Sequence, residues 1–145
     1  MKALINFAEK VGINPTLLNA VEKTNQRQIE SIISLMEKSL GTLALKRLTV
    51  LGTAFKPNTD DVRDSIAIGL IKKLLKKKSR ITIYDPKAMK NTRNIFGEKI
   101  IYAGSITDAL NKSQCAILMT HWKQFERFNN NSMKHMNKKD RKSVV

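Results

Sequence analysis

Two cations and an acidic turn stand close together in the segment LGTAFKPNTDDVRDS, residues 51–65. Lys56 precedes the turn, Arg63 follows it, and Asp60 and Asp61 are residue types that often begin a helix. We expect a helix to begin near Asp60 or Asp61, which would leave free backbone N–H groups beside the two cations. Cations next to a helix N-terminus suit a phosphate group or a developing oxyanion. The segment therefore predicts a site for an anionic ligand.

The same side chains also have a purely structural interpretation. Lys56 would then be an ordinary lysine on a surface loop, and Arg63 would form an ion pair with Asp60, Asp61 or Asp64. The residue types alone leave both interpretations open.

The residues on either side of this segment form a β-α-β pattern. Leu45 to Leu51 is typical of a strand that enters a core, and Gly52 permits a sharp turn at its end. The apolar positions between residues 66 and 75 fit a helix that packs on a sheet, and ITIYDP, residues 81–86, fits a second strand. A β-α-β unit of this kind is right-handed, and its ligands bind at the carboxyl ends of the strands. We expect the anionic ligand at that edge.

Further elements are predicted on both sides of this unit. A short amphipathic helix ends near Gly12, and Asn14 caps a second helix that has Pro15 in its first turn and ends at Gly41. Beyond residue 86 we expect a helix over residues 88–96 and a strand over residues 99–102. A second helix follows, capped by Ser105 and with Asp108 in a capping-box-like position. The last predicted strand covers residues 115–119 and is expected to be buried on both faces. The alternation predicts an α/β fold, a Rossmann-like doubly wound parallel sheet preceded by a long helix. Residues 1–41 would form the helical region and residues 42–145 the sheet domain.

The helix from Pro15 to Leu40 is unusually long for a small domain. Its apolar stripe repeats every three or four residues, and a helix of about 25 residues spans about 40 Å. One face of a small domain cannot cover that length, so we expect part of the stripe to contact another domain or another subunit. The alternative is a helix that lies across its own sheet.

Composition limits the classes of function. The chain has one cysteine, Cys115, which excludes an internal disulfide framework, and no apolar run is as long as a membrane helix requires. The first ten residues show no signal-peptide pattern, so we expect a cytoplasmic protein without a membrane partner. The formal net charge of +15 is compatible with nucleic acid, an acidic membrane surface or phosphorylated small ligands, and equally with a solvated lysine-rich surface.

Nucleic acid is the weakest of these options. The cations between Lys72 and Arg80, and the basic tail from Lys134 to Lys142, are not interleaved with the aromatic side chains that single-strand binding uses. We therefore expect no nucleic-acid partner.

The turn after the first strand lacks the dinucleotide fingerprint G-x-G-x-x-G, since only Gly52 is present there. Asp85 ends the second strand, as does the acid that binds ribose in dinucleotide-binding folds, but it lies later in the chain than the usual spacing. A turn formed by Asp85 and Pro86 is the favoured interpretation, and ribose binding is the alternative.

Four segments together carry a resemblance to a known family. LGTAFKPNTDDVRDS, ITIYDPKA and AILMTHWKQF resemble the C-terminal domain of the UDP-glucose/GDP-mannose dehydrogenase family. The upstream segment KALINFAEKVGINPTLLNAVEKTNQRQ resembles the central helical region of the same enzymes. These segments lie across nearly the whole chain.

The resemblance implies an NAD-dependent, four-electron oxidation of a nucleotide sugar, of the UDP-glucose to UDP-glucuronate type, through a thioester on a catalytic cysteine. By the same resemblance, Phe55 and Lys56 would contact the UDP-sugar, with Lys56 as a positive donor near substrate oxygens. Arg63 would contact NAD at the cleft between domains. The helix from Pro15 to Leu40 would belong to the dimer core.

Two parts of the family pattern have no counterpart in this sequence: the glycine-rich NAD domain and the Gly-Gly-x-Cys-Phe-x-Lys-Asp segment of the nucleophile. Cys115 lies in an apolar strand and is expected to be a small core residue instead. The closing residues KSVV resemble the start of a further strand, before an Asp-Gly-Arg type segment of the family.

We therefore expect a fragment, shortened at both ends, that binds a UDP-sugar and dimerises but has no catalytic residue and is inactive alone. A separate N-terminal half is a candidate partner. The alternatives are a non-catalytic nucleotide-binding or regulatory module and, less favoured, a basic nucleic-acid-binding protein.

Overall fold

The computed structural model describes residues 2–126 and residue 136. Its helices are α1 (Lys2–Lys10), α2 (Thr16–Leu40), α3 (Ile66–Lys76), α4 (Met89–Phe96) and α5 (Ile106–Leu110). Its strands are β1 (Arg47–Leu51), β2 (Arg80–Tyr84), β3 (Ile101–Tyr102) and β4 (Cys115–Leu118), and short 3₁₀ turns cover Gly97–Lys99 and Lys123–Phe125. From β1 onward, strands and helices alternate as the sequence predicted.

The four strands form one parallel sheet in the order β3-β2-β1-β4. The chain moves outward from β1 to β2 and β3, and then returns across the sheet so that β4 pairs with the other side of β1. Because such crossovers are right-handed, α5 lies on the opposite face from α3 and α4. The predicted α/β, Rossmann-like, doubly wound fold is therefore confirmed, and the strand order reverses between β1 and β4.

Helix α3 is the most deeply buried helix of the sheet domain. Its apolar residues recur at helical spacing, and those facing the sheet are buried: Ala67, Ile68, Leu70, Ile71 and Leu74. Its other contact is with α2, where the Cδ1 atom of Ile29 lies 2.8 Å from the position that a Cβ atom on Gly69 would occupy. Glycine at this position therefore lets the two helices approach closely.

Helix α2 divides into two halves with different surroundings. In the C-terminal half, Ile29, Ile33 and Met36 are buried against the sheet domain. In the N-terminal half, Leu17 and Val21 are 76% and 37% exposed. The interpretation of a helix lying across its own domain thus holds for the second half, while the first half presents apolar side chains to solvent.

Two predicted helix starts are wrong. Helix α3 begins at Ile66 rather than near Asp60 or Asp61, because Asp61 uses its carboxylate in a local turn: its Oδ1 atom accepts a hydrogen bond of 2.8 Å from the Arg63 backbone N–H. Helix α2 has Pro15 at its N-cap rather than Asn14. The Oδ1 atom of Asn14 instead accepts a hydrogen bond of 3.0 Å from the Thr16 hydroxyl.

The predictions for the last two elements have mixed outcomes. Ser105 caps α5 as predicted, since its Oγ atom accepts a hydrogen bond from the Asp108 backbone N–H at 3.1 Å. The prediction that residues 115–119 are buried on both faces is wrong, because Leu118 is 41% exposed and Ala116 is half-buried. In the described part of the chain β4 is an edge strand of the sheet, so its side chains lack a neighbouring strand on one side.

Some predictions lie outside the described residues: the basic tail from Lys134 to Lys142 and the strand-like KSVV at residues 142–145. The division of the chain at residues 41 and 42 stays a prediction. Within residues 2–126, none of the helices is both long and apolar enough to cross a membrane.

Gly52 offers a test of how tightly β1 and β4 are joined. Its φ is +86°, and a Cβ atom would lie 2.6 Å from the Thr120 Cβ atom and 2.7 Å from the Thr120 backbone nitrogen. We expect Gly52→Ala to lower the free energy of unfolding by roughly 2–4 kcal/mol, since both the positive φ and the overlap oppose a side chain. Urea unfolding measures this, with Gly104→Ala as the matched control because nothing lies within 4 Å of that position. Equal stability of the two variants would contradict the close contact.

Candidate functional site

The segment from Gly52 to Ser65, called the ligand loop below, is tied to both neighbouring strands where it leaves β1. The Gly52 N–H donates to the Tyr84 carbonyl of β2 at 2.9 Å. The Ala54 carbonyl accepts from the Thr120 hydroxyl, just after β4, at 2.6 Å. The loop therefore begins at the carboxyl end of the sheet and at the point where the strand order reverses, which is where ligands bind in folds of this kind.

Backbone and side-chain hydrogen bonds close the ligand loop on itself. The Phe55 N–H donates to the Asp61 carbonyl at 2.7 Å, and the Asp61 N–H donates to the Thr59 hydroxyl at 3.1 Å. The Asn91 amide of α4 donates to the Asp60 carbonyl at 2.9 Å. These contacts fix the ends of the segment 55–61, and its tip is exposed.

The predicted substrate residues lie on this tip. Phe55 is 58% exposed although it is aromatic, and Lys56 is also exposed. An aromatic side chain beside a lysine can combine contact with a flat ring and attraction to phosphate oxygens. The structure thus places the two residues next to each other at the ligand edge of the sheet.

Arg63 lies further along the loop and forms an ion pair with Asp61. Its Nη2 and Nε atoms lie 2.8 Å and 3.0 Å from the two carboxylate oxygens of Asp61. The hydrogen bond from the Arg63 side chain is the main cause that lowers the pKa of Asp61 from 3.8 to about 2, and the same contact raises the pKa of Arg63. The structural interpretation of Arg63 is therefore confirmed, with Asp61 as the partner. The Arg63 side chain as a whole remains 87% exposed.

The ligand loop does not carry the excess positive charge of the chain. It contains two cations, Lys56 and Arg63, and three carboxylates, Asp60, Asp61 and Asp64. The loop by itself would therefore attract a phosphorylated ligand through individual cations rather than through a net positive charge.

A buried carboxylate, that of Asp85, lies behind the loop. Asp85 is 1% exposed. Its Oδ2 atom accepts hydrogen bonds from the Thr53 and Ala54 N–H groups at 2.7 Å and 3.0 Å and from the Trp122 indole at 3.2 Å. Its Oδ1 atom accepts from the Lys87 and Ala88 N–H groups at 2.9 Å and 2.8 Å. Asp85 forms a turn, as favoured, and ribose binding is wrong because both oxygens are buried and engaged.

A cleft lies beside the ligand loop, between α2 and the carboxyl end of β4. It has a volume of about 480 Å³ and is lined by Thr24, Arg27, Gln28, Ser31, Ile32, Ile66, Leu118 and Met119. No ligand role was predicted for the residues of α2. Their spacing of three and four residues was a usable signal, since it puts all of them on one face of a helix.

Cys115 is not placed to act as a nucleophile. It is 1% exposed in β4, and burial raises the pKa of its thiol to about 11. The thiolate is the reactive form, so this side chain is inert at neutral pH. The predicted core role is confirmed.

Comparison with known proteins agrees with the fold and identifies the family. Residues 49–145 match the UDP binding domain of the UDP-glucose/GDP-mannose dehydrogenase family. The chain is 42% identical over 123 residues to UDP-glucose 6-dehydrogenase AglM of Haloferax volcanii, a match that covers 85% of this chain and 28% of that protein. It is 32% identical over 120 residues to UDP-glucose 6-dehydrogenase TuaD of Bacillus subtilis, covering 83% of this chain and 26% of that protein.

A solved structure shows the same relationship. The UDP-glucose dehydrogenase of Pyrobaculum islandicum superposes with a TM-score of 0.79 at 29% identity, over 93% of this chain and 34% of that one. The chain therefore spans about a third or less of the length of the relatives named here. From the family match over residues 49–145 and the close relatives, we conclude that this chain belongs to the UDP-glucose/GDP-mannose dehydrogenase family.

Proposed function

We propose that this chain supplies the nucleotide-sugar-binding part of an NAD-dependent nucleotide-sugar 6-dehydrogenase, of the type that oxidises UDP-glucose to UDP-glucuronate. The observation that carries the proposal is the ligand loop, which presents Phe55 and Lys56 at the carboxyl edge of a parallel sheet, where the strand order reverses. Relatives at 42% and 32% identity are UDP-glucose 6-dehydrogenases, which supports this substrate class.

Phe55 and Lys56 have complementary roles in this proposal. The exposed ring of Phe55 contacts a flat face of the nucleotide sugar, and the Lys56 ammonium group donates hydrogen bonds to its oxygens. The neighbouring cleft adds Arg27 and Gln28 as donors and Ile32 and Met119 as apolar walls. Its volume is in the range of small-ligand sites.

NAD is the cofactor we propose for the complete enzyme, where it accepts hydride when bound. The residues described after β1 do not fit a pyrophosphate cradle, because Thr120 fills the space beside Gly52 and α3 begins only at Ile66. Arg63 fits a more limited role, as an exposed cation that contacts NAD from the edge of the cleft between domains.

Lys56 gives a direct test of the substrate site. We expect the chain to bind UDP saturably in calorimetry, and we expect Lys56→Ala to weaken binding about ten- to a hundredfold, because a hydrogen bond to a charged group contributes about 1.5–3 kcal/mol. Lys72→Ala is the matched control, since Lys72 is an exposed lysine on α3 away from the ligand loop. It should leave the affinity for UDP unchanged.

One outcome would contradict the role of Lys56, and two others would favour other functions. UDP binding that is equal for Lys56→Ala and Lys72→Ala would remove Lys56 from the site. Tight binding of DNA or RNA with a steep salt dependence, and none of UDP, would favour the nucleic-acid-binding alternative. Binding of UDP without any associated oxidation in a reconstituted complex would favour a regulatory nucleotide-binding module.

We also propose that this chain alone does not catalyse the oxidation. We expect no NADH formation when the purified chain is mixed with UDP-glucose and NAD, because its one cysteine is buried with a pKa of about 11. Absorbance at the NADH band measures this. Turnover clearly above a boiled-protein control would contradict the proposal that the chain acts as one part of an enzyme. We propose that the partner of this chain is a separate N-terminal half that carries the nucleophile. We also propose that both parts act in the cytoplasm.

We also propose that the chain forms a homodimer through the helix from Pro15 to Leu40. The first half of that helix is available for this contact, since Leu17 and Val21 share one face and are exposed, as are Leu4 and Phe7 of α1 at 55% and 62%. The second half of the helix is not available for a dimer contact through these positions, because Ile29, Ile33 and Met36 are buried within the chain.

Light scattering at micromolar concentrations tests the dimer. We expect a dimer for the native sequence and a monomer for the double variant Leu17→Glu with Val21→Glu, because two charges would be desolvated in the contact. Ile95→Glu on α4, where the side chain is 42% exposed, is the control and should remain dimeric. A native chain that is monomeric at these concentrations would rule out the helix as a dimer contact.

A further inference from the structure

Asp85 joins three separate parts of the sheet edge through one carboxylate. Oδ2 accepts from Thr53 and Ala54 at the start of the ligand loop and from the Trp122 indole after β4. Oδ1 accepts from Lys87 and Ala88 at the start of α4. The carboxylate thus makes a single connection between the ends of β1, β2 and β4.

We propose that Asp85 is the positioning residue of the ligand loop and that Trp122 holds the Asp85 carboxylate in place. Together they determine the positions of Phe55 and Lys56. The proposal rests on the proposed function for its consequence on UDP binding. Neither residue touches the ligand in this scheme.

The spacing along the chain supports the role of Asp85. Thr53 and Ala54 immediately precede Phe55 and Lys56, and both of their N–H groups point at the same oxygen atom. Two consecutive N–H groups bound to one acceptor fix the orientation of the backbone that leads into the tip of the loop. Thr53 and Ala54 are 0% and 1% exposed, so water cannot replace the carboxylate.

Trp122 supports the same arrangement from the opposite side. It is the one tryptophan of the chain and is 5% exposed. Its indole N–H reaches Oδ2 at 3.2 Å, while Thr120, two residues earlier, donates to the Ala54 carbonyl. The segment after β4 therefore holds both the loop backbone and the carboxylate that orients it. A change at the loop should be visible in the indole N–H resonance of Trp122.

The experiment compares three variants of the full chain: Asp85→Asn, Trp122→Phe and Thr49→Val. Asp85→Asn replaces one acceptor oxygen by a donor that faces existing donors. Trp122→Phe removes only the indole donor. Thr49→Val is the control: it deletes the buried contacts of the Thr49 hydroxyl with the Ala109 carbonyl at 2.6 Å and with the Ser113 hydroxyl at 2.9 Å, away from the ligand loop.

Three measurements are made on each variant: global stability in urea, amide hydrogen exchange, and UDP affinity. We expect Asp85→Asn to speed exchange at the Thr53, Ala54 and Phe55 amides about tenfold or more and to weaken UDP binding about tenfold. Phe55 is the critical amide, because its own acceptor is the Asp61 carbonyl rather than Asp85. Trp122→Phe should change the same amides in the same direction by less. Thr49→Val should lower stability without changing either loop exchange or UDP affinity.

The outcomes separate this inference from the proposed function. If the native chain binds no UDP, the proposed function fails, while hydrogen exchange still decides whether Asp85 positions the loop. If the Phe55 amide exchanges at the native rate in Asp85→Asn, the positioning role is overturned. If Asp85→Asn does not fold, Trp122→Phe decides in its place. Loss of UDP affinity in Thr49→Val equal to that in the Asp85 variant would show a general stability effect and would also overturn the proposal.

Discussion

The candidate site depends on one charged group that is almost fully removed from water, the carboxylate of Asp85. A buried charge without partners is strongly unfavourable, and here five N–H donors replace the lost water. Those donors come from the ends of three strands of the sheet. The requirement to satisfy a single carboxylate therefore brings the start of the ligand loop, the start of α4 and Trp122 to fixed relative positions.

The sequence predicted the elements well and their boundaries less well, for a physical reason. The apolar periodicity of α3 and of strands β1 and β2 is a local property, so the fold class followed from it. The predicted start of α3 was wrong because the backbone from Phe55 to Asp61 is closed by a hydrogen bond within the loop and is held by Asn91 from α4. The prediction that β4 is buried on both faces was wrong because burial depends on what lies beside a strand, which its own residues do not specify.

The sequence indicated which residues of the ligand loop could contact a ligand, but not the buried contacts that hold the loop. Lys56 and Arg63 stood out because they flank an acidic turn, and Asp61 was among the partners named for Arg63. The group that organises the loop was harder to find, since Asp85 lies 32 residues from Thr53 and 37 from Trp122 in sequence. The α2 residues that line the cleft share one helix face, which their spacing indicates, but most surface helices have a polar face, so the spacing alone does not indicate a ligand site.

The distribution of charge argues that the loop recognises a ligand through individually placed groups. The chain carries a net charge of +15, yet the ligand loop contains more carboxylates than cations. Part of the excess lies at the amino ends of the strands, where Arg47 of β1 stands opposite Arg80 of β2. Cations at that edge are separated from the loop by the length of the strands, about 17 Å, which exceeds the distance over which physiological salt screens a charge. On the loop itself, attraction for an anionic ligand comes from short contacts such as that proposed for Lys56, and these require a loop whose position is fixed.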